Sequence, residues 1–179
     1  CYYIDFDIAT PADAPVDVDM LASVVTRQVA RFMPGAAMYS LVLTAPVKTL
    51  RDGKCKQGVH MHFPHVFVTT HEALVMREAV IVALEANGAL AHVDWPNAFD
   101  NNPYVSETGG LRMLGAPKAG TCPTCKNKPK DRMSCYKTTE GGCDCTGHVY
   151  EHRCYVFHSC VGADGSAAEH ESTVFHRNV

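Results

Sequence analysis

From Tyr2 to Ile8 the chain sets Tyr2, Ile4, Phe6 and Ile8 against Asp5 and Asp7. Successive side chains of a strand point to opposite faces, so this alternation predicts a half-buried strand with both carboxylates on its open face. Two adjacent carboxylates repel unless cations neutralise them, and hard divalent ions such as Mg²⁺ or Mn²⁺ take oxygen ligands of this kind. Asp-Phe-Asp is a short motif, however. Standing alone it is better explained as two solvated acids on an exposed strand.

The rest of the chain adds helices and further strands. Leu21, Val24, Val25, Val29 and Phe32 recur at helical spacing and predict a helix over 18–33, stopped by Pro34-Gly35. Residues 38–44 read as a buried strand and 58–68 as one or two more. Thr69 and Glu72 form a capping box that opens a helix to about Ala86, ended by Asn87-Gly88. Residues 101–120 read as loop with a short strand near 111–114, and 148–160 return to strand. The polar stretch 162–179 reads as loop. The fold class expected is α/β, with a mixed or antiparallel sheet.

Composition sets the outer bounds. A chain of 179 residues with 46% hydrophobic content supports one domain with a sizeable core, with room for a small appended module. The net charge of −3 excludes a globally basic nucleic-acid binder, so any basic surface must be local. No apolar run reaches membrane-spanning length. The opening Cys-Tyr-Tyr-Ile carries neither an initiator Met nor a basic leader, and it reads as a piece excised from a longer chain.

A site with two metal ions usually needs a third carboxylate. Asp100, ahead of Asn-Asn-Pro-Tyr, is the candidate, and Asp94 is its rival. Lys56-Gln-Gly-Val-His-Met-His62 places His60 and His62 on one face of a strand, where an imidazole can donate to a phosphate and Lys56 adds charge. Gly58 allows close backbone approach to a ligand. His62, His65 and His71 are adequately explained as ordinary structural histidines. Between Gly109 and Lys118, Arg112 offers a bidentate fork for phosphate and Lys118 a point charge. Many surface strands carry such residues; the position soon after Asp100 gives the segment its weight.

Seven of the nine cysteines crowd between Cys122 and Cys160 among basic and Gly residues. Clustering of this sort, without secretory features, favours zinc over disulfides. Cys122-Pro-Thr-Cys125 is one half of a site, and Cys143-Asp-Cys145 offers the other. Cys135, His148, His152, Cys154 and Cys160 compete for the second half. One structural zinc ion held by Cys122, Cys125, Cys143 and Cys145 is expected.

Taken in order, these segments resemble the archaeo-eukaryotic primase superfamily. Tyr2-Tyr-Ile-Asp-Phe-Asp7 is similar to its Asp-x-Asp motif. Gly58-Val-His60 resembles small-x-His, with Gly58 where Ser is common. Asp100 matches the lone catalytic Asp, and Leu111-Arg112 through Lys118 resembles the Leu-Arg…Lys segment, followed in the family by a cysteine-rich module. The nearest resemblance is to the helicase-primases of large DNA viruses.

The resemblance implies a primase catalytic core over 1–120, a zinc module over 121–160 and a C-terminal segment over 161–179. It further implies a nucleotidyltransferase, a DNA primase or DNA-directed polymerase acting in replication. Asp5, Asp7 and Asp100 would bind two Mg²⁺ or Mn²⁺ ions; His60, Lys56, Gly58, Arg112 and Lys118 would receive the triphosphate of an NTP or dNTP. Single-stranded DNA would be the template, and a helicase domain or subunit a partner. The setting would be intracellular, at a viral replication site or in the host nucleus. A two-metal nuclease and a non-catalytic zinc module that binds nucleic acid are the rival readings.

Overall fold

The computed structural model describes residues 1–34, 38–105 and 155–168, together with the backbone of 142–143 and 148–149. The chain divides into two compact units, residues 1–111 with 157–179, and residues 112–156. The first is built on a six-stranded sheet. Its strands are β1 (Tyr2–Pro11), β2 (Tyr39–Thr44), β3 (Lys48–Thr49), β4 (Lys54–Phe63), β5 (Phe99–Asp100) and, following β6 and β7 of the second unit, β8 (Val156–Gly162). They run in the order β5-β1-β4-β2-β8, with β3 beside β4. β1 lies antiparallel to β4 and β5, and β4 antiparallel to β2 and β3. In the second unit, β6 (Gly142–Cys143) and β7 (His148–Val149) pair antiparallel, with Cys143 opposite His148 in the backbone register.

The alternation in β1 resolves as expected. Tyr2, Ile4, Phe6 and Ile8 are each at most 1% exposed and face the core. Val59, Met61 and Phe63 of β4 join them there. Two long helices cover this face and pack on each other: α1 (Val18–Phe32) and α2 (Thr70–Glu85). α1 begins where Asp17 accepts a bond from the Met20 amide at 2.9 Å, and it buries Leu21, Val25 and Val29. α2 begins with the capping box, both halves formed by Thr69 and Glu72. A short α3 (Trp95–Ala98) leads into β5, and α4 (Asn102–Val105) follows it.

Two expectations need correction. The strand placed at 58–68 starts at Lys54 and ends at Phe63, because Pro64 has no N–H to continue a ladder. The loop expected from 101 contains α4, whose Tyr104 amide donates to the Asn101 carbonyl at 3.0 Å.

Candidate active site

The buried face fixes what happens on the open one. Phe6 sits opposite Phe99 across β1 and β5, their rings 4.8 Å apart, and Trp95 meets Phe6 edge-on at 5.7 Å. Trp95 is itself anchored, its indole N–H donating to the Leu90 carbonyl at 2.9 Å. Aromatic pairs of this kind contribute about 0.5–1.5 kcal/mol each beyond simple burial. A slip of one residue would turn every side chain of β5 to the other face, so this cluster specifies the register. The next residues in that register are Asp5 and Asp100.

Asp5 consequently has Asp100 opposite it on β5 and His60 opposite it on β4. Three strands deliver one row of chemistry, Asp100–Asp5–His60, across the face turned away from the core. Asp7 lies two residues along on the same face, opposite Gly58. Gly58 brings no side chain to that position and is itself buried, between Lys56 and His60 on the same face of β4. Lys56 reaches back to Asp7, Nζ to Oδ2 at 3.0 Å.

His60 is 1% exposed, and its Nε2 lies 3.3 Å from Asp5 Oδ1. His62 follows on the same face, its ring centroid 6.4 Å from that of His60 and also 6.4 Å from that of Tyr3. Burial first, then the neighbouring His60, pushes the His62 imidazole below its ordinary pKa. His65 is exposed and meets Tyr39 edge-on, and His71 is exposed on α2.

Whether the carboxylates suit a cation can be judged from their partners. Asp5 Oδ1 is buried and, among the described residues, receives no hydrogen bond. Asp100 Oδ1 accepts from the Asn102 amide at 2.9 Å, and Asp7 is held by Lys56. Directed this way, the acids do not converge: among the described residues no three His, Cys, Asp or Glu side chains surround one point. The donor set still fits a hard divalent ion, with three carboxylates on one face and the buried Asp5 Oδ1 beside His60 Nε2 at 3.3 Å without an aligned hydrogen bond. Asp94 fits less well, being exposed at the start of α3 and occupied with Asn97 Nδ2 at 2.7 Å.

Arg77 contributes to the site although the sequence reading did not single it out. From α2 its guanidinium donates to the Phe99 carbonyl through Nε at 3.1 Å and Nη2 at 2.8 Å, and to the Pro96 carbonyl at 2.7 Å. It also lies 5.3 Å from the Phe99 ring centroid. The residue before Asp100 is therefore gripped by a charge-assisted fork. Beyond Asp100, the Tyr104 hydroxyl donates to the Tyr3 carbonyl and the Tyr3 hydroxyl to the Pro103 carbonyl, tying α4 onto β1. A lone Arg inside an apolar helix was the one available signal for Arg77. Spacing gave none for Tyr104.

Arg112, Lys118, Cys122, Cys125, Cys135, Cys145, His152 and Cys154 lie outside the described residues, as do the side chains of Cys143 and His148. Cys160 is described; it is buried in β8, and burial pushes its thiol pKa up. No described helix is long and apolar enough to cross a membrane.

The model of a family described as the C962R protein N-terminal AEP domain matches residues 2–136. No curated protein and no solved structure matches the chain.

Proposed function

From a chain that belongs to this family of archaeo-eukaryotic primase (AEP) domains, we propose a primase-polymerase core that joins nucleotides on a single-stranded DNA template. At family level the membership points to nucleotidyl transfer of the primase/polymerase type. The single observation that carries the finer reading is the cross-strand row Asp100–Asp5–His60, with Asp7 one step along.

Asp5, Asp7 and Asp100 would hold Mg²⁺ or Mn²⁺. When bound, such ions activate a 3′-hydroxyl and neutralise the pyrophosphate that leaves. The protein's own part is positioning and charge. His60, fixed between β1 and β2 on a central strand, donates to the triphosphate of an NTP or dNTP. Lys56, which pairs with Asp7 at 3.0 Å, would supply a positive charge to phosphate oxygen. Arg112 and Lys118 are proposed as further phosphate ligands on the family resemblance alone. Most of the rate enhancement in such a site comes from orientation and from charge stabilisation.

For the second unit we propose a structural zinc site using Cys122, Cys125, Cys143 and Cys145. Its support is the cysteine spacing and the β6–β7 pairing, which sets Cys143 opposite His148 in the backbone. A helicase domain or subunit is the expected partner, at a viral replication site or in the nucleus.

The deciding measurement is nucleotide incorporation on single-stranded DNA, with and without primer, in Mn²⁺ or Mg²⁺, alongside an Asp5→Ala/Asp7→Ala variant. Metal-dependent products that vanish in the variant support the reading, and products without primer identify a primase. Strand cleavage with no nucleotide requirement would favour a nuclease instead.

A further inference from the structure

The open face of the sheet continues past the carboxylates. In β4 the residues sharing a face with His60 and Gly58 are Lys56 and Lys54, so the row that starts at Asp5 and Asp7 runs on into cations. Alternate strand residues project about 6.6 Å apart, which places Lys54 on the order of 20 Å from His60. β3 adds Lys48, the direct cross-strand partner of Lys56. Like charges directly opposite each other are unfavourable in a folded sheet. Asp7 offsets the charge of Lys56, but Lys48 has no acidic partner among the described residues, and an anionic ligand would supply one.

The hairpin joining β3 to β4 is built to present these groups. Gly53 turns the chain with φ of 80°, the Leu50 amide donates to the Lys54 carbonyl at 2.7 Å, and Asp52 accepts from the Lys54 amide at 3.2 Å. Arg51 is exposed at the tip, and Lys48 is exposed on β3. Asp52 is the only acid in the stretch 46–56, which also holds Lys48, Arg51, Lys54 and Lys56, in a chain whose net charge is −3. Its ion pair with Lys54 is long, at 3.7 Å. The same stretch contains no aromatic residue on which a base could stack.

We infer that this hairpin is a docking surface for the phosphodiester backbone of single-stranded nucleic acid, leading a strand toward the Asp5–Asp7 site. Lys48, Arg51 and Lys54 make the phosphate contacts, while Lys56 stays with the nucleotide. Contacts to phosphate position a strand without reading its sequence, so affinity depends on salt and not on base order. The inference rests on the proposed function for the direction of the strand, but binding can be measured apart from catalysis.

The test is fluorescence anisotropy of labelled oligo-dT and oligo-U against the full chain and a Lys48→Ala/Arg51→Ala/Lys54→Ala variant, across a salt series. Each phosphate contact on a single strand contributes about 0.7 to the slope of log affinity against log salt, so three lost contacts should lower it by about 2. Affinity at low salt should fall at least tenfold, with unchanged nucleotide binding and an unchanged circular dichroism spectrum. Loss with either oligonucleotide supports the surface; DNA loss alone would add a sugar preference elsewhere. Equal affinity and slope in the variant would overturn it, as would absence of oligonucleotide binding by the parent chain. Weakened nucleotide binding with intact oligonucleotide binding would overturn it too, reassigning the cations to the triphosphate. If the variant loses oligonucleotide while the parent incorporates no nucleotide, the surface stands and the polymerase reading falls.

Discussion

Arg77 donates from α2 to the backbone carbonyls of Pro96 and Phe99, and so fixes the approach to Asp100 from the buried side of the sheet. Arg77→Ala leaves both carbonyls without this charged donor. Groups that orient a metal ligand typically change metal affinity or activity by about 10–100-fold when removed. We expect a loss in that range in Mn²⁺-dependent incorporation, with a higher Mn²⁺ requirement. Lys at this position should recover little, since it lacks the planar fork. A variant with wild-type metal dependence would show that Arg77 serves stability alone.

Asp5 and Asp100 stand directly opposite each other, so the metal-free protein carries a like-charge conflict. Asp100→Asn keeps an oxygen for the Asn102 amide and removes one charge. The expected outcome is a metal-free protein more stable by about 0.2–1 kcal/mol, the usual size of a cross-strand pair effect. Mn²⁺ should raise the Tm of the parent chain and leave that of Asp100→Asn nearly unchanged. Thermal unfolding with and without Mn²⁺ checks both halves.

Phe6 is fully buried between Trp95 and Phe99. Phe6→Ala should cost about 3–5 kcal/mol, as large-to-small changes at buried aromatic positions do. Phe6→Leu should cost less and retain the register. Urea denaturation measures the stability, and incorporation by Phe6→Leu reports whether Asp5 and Asp100 still meet.

The capping box gives the protein a pH-dependent element. Bonds from the Thr69 backbone amide, then from its hydroxyl, hold the Glu72 carboxyl below its ordinary 4.5. A carboxyl depressed in the folded state contributes stability above its unfolded value, and that contribution is lost as pH falls through the folded value. Stability should therefore decline below about pH 4.5, and the Glu72→Ala variant should show a shallower decline in urea midpoints between pH 6 and 3.

Much of this was legible in the sequence, and the exceptions have physical causes. Period-two alternation placed Asp5 and Asp7 on one face because burial of Phe6 leaves them no choice. The capping box and Pro34 located the two long helices for similarly local reasons. Asp100 could be singled out from its place ahead of Asn-Asn-Pro-Tyr and then from the resemblance, with Asp94 left as its rival. What brings Asp100 to Asp5 is the pairing of Phe6 with Phe99, more than ninety positions apart, which no local spacing encodes. Arg77 escaped notice because its partners are main-chain carbonyls, and any sequence supplies those. Lys56 was read beside His60 as a charge for phosphate, and Lys48 was not singled out; only β3 sets the two opposite one another.

β5 consists of Phe99 and Asp100 alone and lies at the edge of the sheet. Two residues cannot hold a strand by their own ladder, so its order is lent by Arg77 below and by the Tyr3–Tyr104 tie beyond. Taking Asp100 out of the row should therefore cost less than opening the β1–β4 pair or the helices. Amide exchange at Asp100 would follow ligand occupancy rather than global unfolding, so a single backbone N–H could report, without any activity assay, how often the constellation is assembled.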